Sequence, residues 1–412
     1  MKHNGPFFIW LLLALLALNI AVQAREAKRD PESGKIRILY FGDAFAGPSP
    51  YPVFSNDPLT RVLPVRASGF HDSPSVIKRH MRMYMPRTAQ RLFTGYDMII
   101  LSDANIQSFR SDYFAWFRDS VLEEGLGLVM IGGLETFGAH PNFPGSWGDT
   151  VVAPVLPVIC LPEEWEDRDG VISNIDGENV FMSSLPFEEI GRHGVFHGCN
   201  IVGEREGVTP LAYYEVYKLG SGTVRHPLFC FWDVGEGASY TMMADWTPAG
   251  GKDFLRWGHY GDYALNLAIY VCGGNVPQDI VLVYRTRGLM EEYRSRRGTL
   301  EEIIEFVSKF GARMAPAERI LGEAEEIRDD ADSHYLDGEM ERASVGLSQA
   351  LAKLAEATER AYELRDEALL WVYVSEWLAV ASTGLVCGYA LWTLMIRKGA
   401  YRVVGHTRLI ER

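Results

Sequence analysis

The stretch Leu128–Gly138, LVMIGGLETFG, decides how this chain is read. An unbroken apolar run stops at Gly132-Gly133, and a third glycine follows at Gly138. A short, wholly apolar run bounded by paired glycines is a buried strand entering a tight turn. In α/β proteins such a turn presents a nucleophile or cradles a ligand. A nucleophile elbow needs a Ser or Cys flanked by small residues, and this turn holds Leu134, Glu135 and Thr136 instead.

The same reading extends outward. IRILYFGD, ending at Gly42-Asp43, and YDMIILSDA, bounded by Tyr96-Asp97 and ending at Ser102-Asp103, are further apolar strands. RVLPVRA is a weaker strand, which Pro64 confines to an edge or a break. SDYFAWFRDSVLEEG reads as a helix, with Ser111 to cap it, Tyr113, Phe114, Phe117 and Val121 on its apolar face, and Gly125 to stop it. GASYTMMADW is a late strand ending at Asp245-Trp246, and FLRWGHYGDYALNLAIYV is the helix after it. Apolar strands alternating with helices predict an α/β fold around a parallel sheet covered on both faces. Residues 141–224, rich in Gly, Pro and Trp, predict a β-rich insertion or extension.

In such a sheet ligands bind beyond the carboxyl ends of the strands. Asp43, Asp103, Gly132, Gly133, Glu135, Asp245 and Trp246 all stand there and form the candidate pocket. Clustered carboxylates carry acid–base chemistry or bind a hard cation, although an Asp after a strand also commonly caps a helix or makes an Asx turn. His197 and Cys199 in HGVFHGCN would share one face of an extended strand, which favours a structural role over a dyad. HExxH, Walker A and GxGxxG motifs are absent, no metal ligand set is assigned, and no cofactor is expected.

The two ends of the 412-residue chain differ from its bulk. Lys2, the run FFIWLLLALLALNIAV and Val22-Gln23-Ala24 have the secretory pattern, predicting a signal peptide over 1–24 cut after Ala24, an uncleaved anchor being the alternative. WLAVASTGLVCGYALWTLMI, Trp377–Ile396, is 20 residues without a charge. At ~1.5 Å per residue it spans ~30 Å, the thickness of one hydrocarbon core. Trp371, Tyr373 and Trp377 form an aromatic belt at its start, so the transmembrane helix is set at 371–396. Residues 397–412 carry five Arg or Lys against one Glu, which predicts a cytoplasmic tail and an extracytoplasmic globular part. Of the formal charge of −14, the tail holds +4 and residues 1–24 hold +1, leaving −19 between them. So acidic a bulk argues against a nucleic-acid partner.

Cys160, Cys199, Cys230 and Cys272 lie in the exported part, where disulfides are permitted, and four cysteines allow three pairings. Beyond Pro277, DIVLVYRTR looks strand-like, and residues 278–370 then form a helical stalk. Gly311 and Pro316 break its first helix. From about Gly338 a heptad places Met340, Leu347, Leu354, Ala361 and Ala368 on one stripe and Ala343, Ala350, Ala357, Leu364 and Trp371 on another. These small core residues suit a close antiparallel hairpin, or a coiled coil joining two copies.

YDMIILSDA, LEEGLGLVMIGGLETFG, VLPV at Val155–Val158 and the run from Gly235 to Val271 together resemble the glutamine amidotransferase-like family, a branch of the class I glutamine amidotransferase superfamily. The resemblance covers roughly Lys35 to Val276, within a domain set at 25–277, and implies a flavodoxin-like sandwich. Working members release ammonia from glutamine with an elbow Cys and a late His and Glu. Here glycine stands at the elbow, no late His-x-Glu follows, and His259 sits in WGHYGD instead. Without a thiolate there is no thioester route. The expectation is a membrane-anchored, extracytoplasmic module that binds a ligand or a partner. The alternatives are a carboxylate- or metal-dependent hydrolase of an envelope component and a structural subunit of a surface complex. The expected partners are the bilayer, through the C-terminal helix, and a protein or a second copy, through the stalk. Backbone N–H groups around Gly132 and Gly133 are expected to be open to an anionic or carbonyl oxygen.

Overall fold

The computed structural model describes residues 25, 27–42, 44, 47, 49–138, 143, 145–190 and 195–407. The signal-peptide segment 1–24 and Asp43 lie outside the described residues. The chain divides into two compact units. One comprises Met1–Tyr284 with Tyr335–Glu339, the other Arg285–His334 with Met340–Arg412.

The first unit is built on one nine-stranded sheet. Strands β1 (Ile36–Gly42), β2 (Thr60–Val65), β3 (Met98–Ser102), β4 (Gly127–Ile131) and β9 (Gly237–Met242) pair in parallel, in the order β2-β1-β3-β4-β9. The helices of this unit are α1 (Pro50–Asn56), α2 (Pro74–Tyr84), α3 (Ala89–Gly95), α4 (Ser111–Leu122), α5 (Lys252–Arg256) and α6 (Tyr260–Val271). Every residue of β3, β4 and β9 is buried, as continuous apolar strands require. Pro64 lies in β2, the edge strand, where its missing N–H is tolerated. Phe41, Phe109 and Phe117 meet edge-on or tilted at 5.1–5.8 Å, and Trp147 closes on Phe109 at 5.2 Å. At the opposite edge Asp97, fully buried, takes two hydrogen bonds from the Arg37 guanidinium at 2.8 and 3.0 Å and one from the Arg37 backbone at 2.8 Å.

The sheet is mixed rather than parallel throughout. Beyond β9 it continues antiparallel through β8 (Gly222–Val234), β7 (Pro210–Lys218), β5 (Val158–Ser173) and β6 (Phe196–Glu204). The Gly/Pro-rich middle of the chain is therefore an extension of the same sheet; the turns joining β7 to β8 and β8 to β9 are too short for a parallel crossover, and β5 and β6 pair antiparallel across the longer connection 174–195. The start of α4 also differs from expectation. Arg110 is its N-cap and makes no side-chain cap bond, while Ser111 is already helical.

The second unit is helical. DIVLVYRTR is not a strand but opens α7 (Ile280–Ser308). Its β-branched residues give a strand-like look over nine positions. Val283 and Met290, then Tyr293, Leu300 and Val307, are buried at seven-residue spacing, which is a helix face. Gly311 stands in the break before α8 (Ala315–Leu336), and Pro316 falls in that helix's first turn, where proline is tolerated. The third helix, α9, runs Met340–Thr407. One buried cluster joins all three, including Leu300, Val307, Ala317, Ala324, Ala350, Leu354, Ala357 and Ala361. The heptad stripes of α9 thus pack on two helices of the same chain, where the sequence pattern predicts a two-helix hairpin. Leu364 and Ala368 are partly buried, and Trp371 is exposed. Within α9 lies the one helix among the described residues long and apolar enough to cross a membrane.

Candidate functional site

Because β3, β4 and β9 are adjacent and parallel, the residues after them meet at one edge of the sheet. The turn Gly132–Gly138 is held there from both sides. Gly132 N–H donates to Met242 O at 2.7 Å. The Asn200 side chain, from β6, accepts from Gly133 N–H and donates to Gly133 O, both at 3.1 Å. Asp103, at φ +43°, reaches into the turn and accepts from the backbone N–H of Glu135 at 2.7 Å and from that of Leu134. The paired glycines are needed for this approach. A Cβ on Gly132 would lie 2.2 Å from Met243 O, and one on Gly133, at φ +152°, 2.3 Å from the Asp103 carboxyl.

The turn is consequently not an open anion nest. Its N–H groups are spent on Met242, Asn200 and Asp103, so the expectation that they await a ligand oxygen is corrected. An internal carboxyl occupies the place where a substrate oxygen would sit. Thr136, the one hydroxyl nearby in sequence, is fully buried and donates to Ile131 O at 2.9 Å.

Three carboxyls line this edge. Burial, the Asp245 charge and the Glu135 charge push Asp103 well above the usual carboxylate range, against the backbone bonds from Glu135 and Leu134. Burial raises Asp245 to about 6, against hydrogen bonds from Thr247 N–H at 2.7 Å, Thr247 Oγ1 at 2.8 Å and the Gly250 backbone. Burial also raises Glu135, although its carboxylate accepts from Gly69 N–H at 2.7 Å, Phe70 N–H, Ser68 Oγ at 3.3 Å and the Asn105 side chain. Trp246 is fully buried, donates from its indole to Ser102 Oγ at 2.8 Å and accepts at its carbonyl from Tyr260 at 2.9 Å. It is a wall under the site. Beside this cluster, Gly69 and Asn105 also line an open cleft of about 630 Å³ between α2 and the start of α4.

Asp103, Gly132, Gly133, Glu135, Asp245 and Trp246 are therefore gathered at one edge, and Asp43 is outside the described residues. Sequence reasoning missed Asn200, Thr247 and the Ser68–Phe70 loop. The signal open to it was an Asn set between Cys199 and Ile201 in the apolar middle of a strand. Among the described residues no group of three His, Cys, Asp or Glu side chains is disposed to hold a metal.

The remaining nucleophile candidates do not assemble. Gly198, at φ +78°, breaks the alternation of β6, so His197 is exposed while Cys199 is fully buried. His197 Nδ1 bonds Asp169 at 2.8 Å. His259 Nδ1 bonds Asp262 at 2.8 Å, and its Nε2 faces Glu189 at 3.7 Å. All five cysteines are free thiols. Burial lifts Cys160 to about 11 and Cys230 and Cys272 to about 12, and pushes Cys199 up too, so none of these four is a ready thiolate.

Residues 75–272 match the family described as "Putative glutamine amidotransferase". The domain is glutamine amidotransferase-like. None of the curated proteins matches the chain. Among solved structures, two cytoplasmic proteins of Salmonella typhimurium are similar to this chain at 18% and 21% identity, each with a TM-score of 0.43. Each alignment covers 57% of this chain and 99% of the other. A cold-adapted beta-galactosidase from Rahnella sp. R3 is similar at 14% identity over 57% of this chain and 32% of its own, with a TM-score of 0.31. In this amidotransferase-like domain the turn after β4 holds glycine, a buried threonine and a buried Glu, and no thiol.

Proposed function

We propose that this is a single-pass membrane protein whose amidotransferase-like domain is a ligand- or partner-binding module without amidotransferase chemistry. One observation carries the reading. The turn that would hold an elbow thiol has none, and Asp103 and Asn200 consume its backbone donors. The parallel order β2-β1-β3-β4-β9 supports a flavodoxin-like core. The bounds 25–277 for the domain, 278–370 for a helical stalk, 371–396 for the span and 397–412 for the tail belong to the same proposal. The secretory pattern before Arg25 and the basic residues after Ile396 support an extracytoplasmic domain and a cytoplasmic tail. Self-association through the stalk would need a face other than the stripe positions Ala350, Leu354, Ala357 and Ala361, which already pack in the cluster with α7 and α8.

The test is glutamine hydrolysis by the purified full-length chain in detergent. Ammonia release is expected at the level of a protein-free control; release abolished by replacing any one cysteine would overturn the reading.

The raised carboxyls favour a second reading, a carboxylate-dependent hydrolase of an envelope component, because a proton held on Asp103 or Asp245 is what a general acid needs. Under it, Asp103→Asn abolishes hydrolysis of an envelope polymer substrate, and an unchanged rate eliminates it. A third reading, a structural subunit of a surface complex, predicts stable co-purifying proteins in native membrane extracts.

A further inference from the structure

The end of the second unit's core coincides with the start of its span. On α9 the fully buried positions stop at Ala361, Leu364 and Ala368 are partly buried, and from Trp371 the helix is largely exposed, Val372 being half-buried. The turn between α7 and α8 lies against α9 at that level. Phe310, Arg313, Glu367, Trp371 and Ser375 line one cleft of about 510 Å³. Trp371 and Ser375 precede the uncharged run at Trp377 by six and two residues. That is ~9 and ~3 Å along a helix, which puts Ser375 in the headgroup layer, ~5–7 Å thick, and Trp371 just above it, while Glu367, four residues further out, stands another ~6 Å toward the water.

The chemistry of the cleft suits that depth. Phe306 and Phe310 are exposed and meet edge-on at 5.1 Å, a pair with an apolar face and no protein cover. Lys309 beside them is largely exposed. Among the described residues Arg313 and Glu367 have no ion-pair partner, although both line the cleft. A lone guanidinium flanked by aromatics matches a phosphate at the membrane interface.

We propose that this cleft seats the phosphate of a phospholipid headgroup. Arg313 takes the phosphate, and Phe306, Phe310 and Trp371 enter the interface. The α7–α8 turn is then a second membrane contact beside the span. The proposal rests on α9 crossing the bilayer, and the experiment separates the two.

The full chain is reconstituted in phosphatidylcholine vesicles carrying a nitroxide on the choline headgroup or deep in an acyl chain. A fluorophore is attached to native Cys387 in a Cys160→Ser chain, or to Phe310→Cys in a chain with Cys160→Ser and Cys387→Ser. The Cys387 label should lose fluorescence to the deep nitroxide, and the Phe310→Cys label to the headgroup nitroxide. Adding Arg313→Glu should abolish the headgroup quenching at position 310 and leave the Cys387 signal intact. Deep quenching at Cys387 with none at position 310, or quenching indifferent to Arg313→Glu, would overturn the headgroup seat and keep the span. No deep quenching at Cys387 would overturn both.

Discussion

Asp103 is the residue on which the site turns. Its carboxyl fills the glycine turn, so the space it occupies is the space Gly133 leaves. Gly133→Ala is expected to destabilise the chain by about 3 kcal/mol, from backbone strain and overlap with Asp103, seen as a lower urea midpoint at unchanged slope. Asn200→Ala should lower it by about 2 kcal/mol, since a buried N–H and a buried C=O lose their partner. The acids make stability depend on pH in an unusual direction. Asp245 titrates near 6 when folded and 3.8 when unfolded, so between those values the folded chain holds the extra proton. Stability is therefore greatest below about 4 for this group and falls as pH rises through about 6, by on the order of 3 kcal/mol. Asp103, raised by burial and by the Asp245 charge, acts in the same sense. Asp103→Asn keeps an oxygen for the Leu134 and Glu135 N–H groups and removes the charge. It should raise the urea midpoint at pH 8 and change it little at pH 4; an equal change at both would show that the charge is not the cause. Asp103, Gly132 and Gly133 were legible because a strand end and its turn are contiguous. Asn200, 67 positions from Gly133, was not, because β6 stands at the far end of the sheet order from β4 and only tertiary folding carries it to the turn, where Asn200 N–H also donates to Met243 O at 2.9 Å.

Among the elements, the strands of the parallel half could be read directly, since burial on both faces leaves an unbroken apolar run. The opening of α7 was misread because Ile280, Val281, Val283 and Tyr284 are strand formers, and nine residues are too few to show a helical period. Tertiary packing over the whole helix decided it. The heptad of α9 was legible, but not what covers it. Leu354, fully buried in the three-helix cluster, tests that cover. Leu354→Ala should cost about 3 kcal/mol through the cavity it leaves. Amide exchange should then accelerate in α7, α8 and the first half of α9, while β1, β3 and β4 keep their protection.

At the scale of the molecule, an acidic amidotransferase-like domain and a long apolar helix share one chain. If α9 anchors it, a chain ending at Leu370 should leave the membrane pellet in alkaline carbonate, where the full chain stays. Full-length protein released by carbonate would contradict the span.

The amino-acid sequence alone determined the strands after which functional groups stand, the glycine turn without a thiol, and the uncharged run of membrane length. Each is local: burial, turn geometry and hydropathy act over a few neighbouring residues. Only the tertiary structure decided that the turn is closed rather than open. The donors of the turn after β4 are answered by Asp103 from the end of β3, its neighbour in the sheet, and by Asn200 from β6, the strand at the far end of the sheet order, and no local pattern encodes a meeting of side chains that tertiary folding alone brings about.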